Sequence, residues 1–129
     1  MTNPQSIQVK KSAPVISFDF LAGHEVLVLH TKKNFKHFTK RGDFETLYGA
    51  WDDNGRSCVA EHDGTCWFVL VLRNHSMRVI VHECVHMVHQ ICDHRGIPVS
   101  SENSEVIAYM TDYLVGEVVK AIRPDLDID

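Results

Sequence analysis

The chain has 129 residues, of which 44% are hydrophobic and 23% charged. That is the composition of a globular protein and the length of one domain, 1–129, with enough apolar residues for a core without covalent staples. A formal net charge of −4 argues against a nucleic-acid partner, whose phosphates require a basic surface. No apolar run reaches the roughly 20 residues that cross a bilayer, and no leader-type cleavage site follows the first apolar patch. The expectation is a cytoplasmic protein with no membrane contact.

Residues 1–14 are polar and punctuated by prolines, which reads as a flexible tail. His24 to His30, HEVLVLH, is aliphatic and β-branched and predicts a strand. Its His-Glu pair has strand spacing, which does not converge ligands on one ion. Thr31 is positioned to cap a helix through KKNFKHFTKR, with Phe35 and Phe38 on the inner face and Gly42 as its stop. The basic residues of that helix read as a solvated face.

The stretch from Leu47 to Arg73 predicts a β meander with turns at DDNG and HDG and with CWFVLVL as its most buried strand. A two-residue turn at Asp63-Gly64 sets Glu61 opposite Cys66 and Cys58 opposite Val69. The two thiols then lie on opposite faces and cannot bond. Cys84 and Cys92 are too far apart on one predicted helix to pair, so all four cysteines are expected to be reduced.

Asn74 or Ser76 caps the next helix, which runs from Met77 to about His94 and stops at Gly96, with Pro98 beyond. It is apolar nearly all round, so it is expected to be central and buried. A second helix follows from about Glu102 to Ile122, ended by Pro124, and residues 124–129 form a second tail. His75 and His94, at helix ends, are expected to be solvated. The predicted class is α+β: a small, mostly antiparallel N-terminal sheet with one helix, then two long antiparallel helices.

The chemistry concentrates in VHECVHMVHQ, Val81 to Gln90. His82 and His86 are four apart and share a helix face, so both imidazoles can reach one ion. Glu83 flanks that face, where a carboxylate can take a proton from an attacking water. Zinc held by two histidines needs a third protein ligand. Glu102 and Glu105 are the downstream candidates. Glu105 is preferred because it sits one turn inside the second helix, on firmer backbone. His89 is the rival, but it lies too far along the helix axis. Asp112 could orient a ligand imidazole, and Tyr109 or Tyr113 could donate to a developing oxyanion.

The segments HECVHMVHQICDHRGI and SENSEVIAYMTDYLV resemble the metal-binding half of the gluzincin metallopeptidases, in particular the small single-domain forms of bacteriophages and prophages. There the HExxH helix is followed by one opening Glu-x-x-Ala-Tyr, matched by Glu105 to Tyr109. The resemblance spans about Trp67 to Val115. It implies a minimal zincin-like fold, one zinc per chain on His82, His86 and Glu105, and Glu83 as general base. It also implies CWFVLVL as the strand bordering the cleft. Peptide deformylase shares the motif, but its upstream cysteine ligand lies in a glycine-rich context that Cys58 and Cys66 lack. The expected activity is zinc-dependent hydrolysis of a protein or peptide substrate, held by strand addition at the sheet edge. The alternative is a phage accessory protein that keeps the zinc fold as a scaffold and binds a host protein.

Overall fold

The computed structural model describes residues 13–40, 42 and 44–126. Residues 1–12 and 127–129 of the expected tails lie outside the described residues. The inner ends of those tails are packed. Ala13 is buried, the Pro14 carbonyl accepts a hydrogen bond from the Val28 N–H, and Leu126 rests against the core.

Four strands form one sheet: β1 (Val15–Phe18), β2 (His24–Leu29), β3 (Gly55–His62) and β4 (Thr65–Leu72), in the order β1-β2-β4-β3. β1 with β2 and β3 with β4 are antiparallel, while β2 and β4 are parallel. The sheet is therefore mixed. The reason lies in the connection from β2 to β4, which carries a helix and β3 and is long enough for a parallel crossover. β2 and β4 are interior strands covered on both faces, and for that reason they read as nearly continuous apolar runs. Phe68, Leu70 and Leu72 point to one core, and Val69 and Val71 to the other.

The second core is closed by α1 (Lys32–Thr39) and two 3-10 turns. Thr31 caps α1 as expected, and the Asn34 Oδ1 returns the bond by accepting from the Thr31 N–H at 3.0 Å. The helix stops at Thr39, before Gly42. The Leu47–Asn54 segment is not a strand, so the predicted meander is a single hairpin. Gly49 adopts a left-handed conformation, and Asp52 and Asp53 donate back to the carbonyls of Gly49 and Ala50. A run of Gly, Ala, Asp and Asn has little to gain from an extended chain and closes short local bonds instead. The hairpin itself has the expected register, Glu61 opposite Cys66 and Cys58 opposite Val69, about a turn whose Asp63 and Gly64 both have positive φ. All four cysteines are unpaired.

Two helices cover the other face: α2 (Met77–Arg95) and α3 (Ser104–Ile122). The Ser76 Oγ caps α2, and Gly96, with φ 69°, ends it. The expectation that this helix is buried all round is overturned. Ile80, Cys84, Met87, Val88, Ile91 and Cys92 enter the core, but Val81 and Val85 stay 40% and 37% exposed beside exposed His82, His86 and His89. The sheet and α3 cover only part of the helix circumference, and among the described residues no further layer closes the rest. Among the described residues no helix is long and apolar enough to cross a membrane.

Two histidines tie the layers together. His75, expected to be solvated, is half-buried, with Nε2 at 2.9 and 3.0 Å from the carbonyls of His30 and Leu72. It bridges the ends of β2 and β4. His24 is 8% exposed and accepts a hydrogen bond at Nδ1 from the Arg95 Nε–H at 3.1 Å. Burial, then the charge of Arg95 and the neighbouring His94, lower its pKa to about 4. Burial and His75 also lower that of His30.

These shifts set the acid response. A histidine whose folded pKa is depressed resists protonation only while the chain is folded. The stability it contributes is intact above about pH 6.5 and is lost as pH falls toward 4. Urea unfolding at pH 7 and pH 4.5 is expected to show a loss on the order of 1–2 kcal/mol from His24, the partial exposure of the ring screening part of the shift. That component should vanish in His24→Phe.

Candidate functional site

Helical geometry decides what α2 presents to solvent and what it buries. His82 and His86 stand one turn apart on its open side, with their Nε2 atoms 3.2 Å apart and the rings nearly perpendicular at 75°. That separation is hydrogen-bond distance, with donor and acceptor set by the tautomers of the two rings. Glu83, about 100° round the helix from His82, turns inward and is 8% exposed. Its Oε2 lies 4.0 Å from the His82 Nε2. The carboxylate is thus the enclosed member of the motif and the imidazoles the open ones.

The wall facing Glu83 is the start of β3. A Cβ on Gly55 would sit 2.8 Å from the Val79 Cγ1, 2.9 Å from the Glu83 Cγ and 3.3 Å from its Oε2. Only a glycine lets the edge strand come this close to the carboxylate. Asn54, Gly55, Arg78, Val79, His82 and Glu83 together line a cavity of about 250 Å³. The strand bordering this cavity is β3. β4, expected there, is an interior strand between β2 and β3.

The free edge of β3 is partly engaged by the protein itself. The Gln90 Nε2 donates to the Ser57 carbonyl at 3.2 Å, and the Thr46 Oγ1 to the Val59 carbonyl at 3.4 Å. An added strand along the whole edge would have to displace both. The stretch nearest Glu83 is the short one at Gly55.

Both candidate third ligands lie around the start of α3. Glu105 is exposed on the first turn of α3, and Glu102 is exposed in the 3-10 turn before it. Among the described residues, no group of three or more His, Cys, Asp or Glu side chains is arranged to hold a metal ion. His89 and Asp112 are also exposed. The Tyr113 hydroxyl donates to the Ser17 carbonyl at 2.6 Å. It ties α3 to β1 and is not available to an oxyanion. Tyr109 packs its ring edge against Phe20, 5.1 Å between centroids.

Sequence reasoning missed Gly55 and Arg78. Arg78 precedes His82 by four residues, so helical spacing alone could have found it. Gly55 was read as part of a turn, and its role depends on how close a distant helix comes. No known protein family, no curated protein and no solved structure matches this chain.

Gly55→Ala is expected to force β3 and α2 apart at Glu83 and to destabilise the fold by roughly 1–3 kcal/mol, the usual cost of overpacking. The measurement is the urea midpoint of the variant against the parent. An unchanged midpoint would mean that the approach of strand to carboxylate is not tight.

Proposed function

We propose that this chain is a zinc-dependent peptide-bond hydrolase of the gluzincin-like type that its helix pair resembles. The observation that carries the reading is the 3.2 Å separation of the His82 and His86 Nε2 atoms. Two zinc–nitrogen bonds of about 2.0–2.1 Å at a tetrahedral angle span about 3.3 Å. The pair therefore has the spacing of two ligands to one ion. Their exposure leaves room for a substrate to approach, as a catalytic site requires and a closed structural site does not.

A bound zinc ion supplies Lewis acidity toward a carbonyl and makes a water more acidic. Glu83 takes the proton of the attacking water and returns it to the leaving amine. Its enclosure against Gly55 holds the carboxylate in one orientation beside His82. The substrate is a protein or peptide, entering in extended form at the Gly55 end of β3. We propose Glu105 as the third ligand, with Glu102 as the rival. The cellular setting is that of the phage and prophage proteins the motif resembles, acting in the host cytoplasm.

Elemental analysis of protein purified without chelators is expected to find about one zinc per chain. Glu83→Gln should keep that zinc, because glutamine preserves shape and helix propensity. It should lose roughly 10²- to 10⁴-fold in cleavage of a proteome-derived peptide library read by mass spectrometry. Stoichiometric zinc with no cleavage by the parent protein would instead favour a scaffold that binds a host protein.

The two glutamates separate by metal content alone. Glu105→Ala is expected to lose zinc and Glu102→Ala to retain it. The reverse result would move the third ligand to Glu102.

A further inference from the structure

The sheet has a second edge. β1 pairs with β2 on one side, and among the described residues no strand lies on its other side. The Val28 N–H bonds to the Pro14 carbonyl, and Val15 stands opposite Leu27. Backbone groups of an antiparallel pair alternate in direction, so Ile16 turns its own toward β2 while Val15 and Ser17 turn theirs outward. The Tyr113 hydroxyl fits that alternation, since it reaches the outward Ser17 carbonyl from α3 at 2.6 Å. The Val15 N–H and carbonyl and the Ser17 N–H have no partner among the described residues. An edge with free backbone groups is a template for another extended chain.

α3 runs beside this edge and makes it one wall of a groove. The groove measures about 490 Å³, with Val15, Ser17 and Asp19 along the strand side and Tyr113, Glu117 and Lys120 on the helix. Its charges are uneven. Lys120 is paired with Glu117 at 3.5 Å. Asp19 is exposed, accepts from the Ser17 Oγ at 3.4 Å and has no cation beside it among the described residues. Burial, then the charges of Glu117 and Asp19, raise the pKa of Tyr113. The Ser17 end of the groove is therefore its acidic end. Phe20, next to Asp19, is 45% exposed, with its ring edge-on to Tyr113 at 5.7 Å and to Tyr109 at 5.1 Å. An exposed aromatic ring beside a carboxylate favours a long basic side chain, whose stem packs on the ring while its head meets the charge.

We propose that the groove between β1 and α3 docks an extended segment of a partner protein that carries a lysine or arginine. The segment adds to the sheet as a strand. Its backbone pairs with Val15 and accepts from the Ser17 N–H, while Tyr113 keeps the Ser17 carbonyl. Its basic residue lies at the Asp19 end, against Phe20.

The site does not depend on the hydrolase reading. β1 and β3 are the opposite edges of the sheet, and the spacing of strands separates them by roughly 14 Å. The cleft at Gly55 is on the β3 edge.

Amide NMR of the full chain measures the docking. The probes are capped octapeptides that alternate valine and threonine, with arginine, glutamine or glutamate at one central position. The arginine peptide is expected to shift the Val15, Ser17 and Asp19 amides. It should bind roughly threefold to tenfold tighter than the glutamine peptide, the range of an exposed ion pair with a cation–π contact. The glutamate peptide should bind more weakly still. Asp19→Asn, at an exposed side chain, should reduce the arginine peptide to the level of the glutamine one. N-methylation of two consecutive central residues blocks both edges of the peptide and should abolish binding, with no change made to the protein. Equal affinity of the arginine and glutamate peptides would overturn the proposal, as would the absence of shifts at β1. Shifts confined to β3 and α2 would overturn it while leaving the hydrolase reading in place. A dimer in sedimentation that protects the same β1 amides without peptide would put a second copy in the groove and overturn it as well.

Discussion

The arrangement of the site depends on how α2 lies on the sheet. The helix packs on the sheet with one side and on α3 with a second, and a third side remains in water. At about 100° per residue, that contact sends Glu83 inward and leaves His82 and His86 outside. The same rotation directs Ile80, Cys84, Met87 and Ile91 into the core. Turning the helix to bury the imidazoles would expose these apolar residues. The hydrophobic contact and the chemistry are therefore fixed by one rotation angle.

The close approach of β3 follows from that contact. Gly55 stands where a side chain would collide with Val79 and Glu83, and Gln90 reaches across to the Ser57 carbonyl two residues further along. A carboxylate enclosed in this way is held in one orientation, while the imidazoles beside it can turn to meet an ion. The proposed hydrolysis would use that division of roles: a fixed base beside ligands that keep an open side.

The two ends of the parallel pair are finished differently. At the C-terminal ends of β2 and β4, His75 bridges the carbonyls of His30 and Leu72, and Arg123 holds the His75 carbonyl at 2.7 Å. At the N-terminal ends no such bridge is made among the described residues. The strands diverge, and His24 is left with one satisfied and one unsatisfied nitrogen.

Much of the architecture was legible in the sequence because its causes are local. The Thr31 and Ser76 caps, the Gly96 stop, the Asp63-Gly64 turn and the reduced cysteines all follow from neighbours a few residues away. So does the His82/His86 pair, since a separation of four residues within a helix ensures that the rings meet. What depends on distant partners could not be read. The parallel pairing of β2 with β4, the open side of α2, the enclosure of Glu83 by Gly55 and the bond that commits Tyr113 to Ser17 each arise between segments far apart in the chain. The position of Glu105 belongs with them. Its spacing from the histidines is a property of the sequence, but its distance from them depends on how α3 returns across α2. That path is decided by the packing of Met110, Leu114 and Val118 in the shared core, which no pattern of ligand residues encodes.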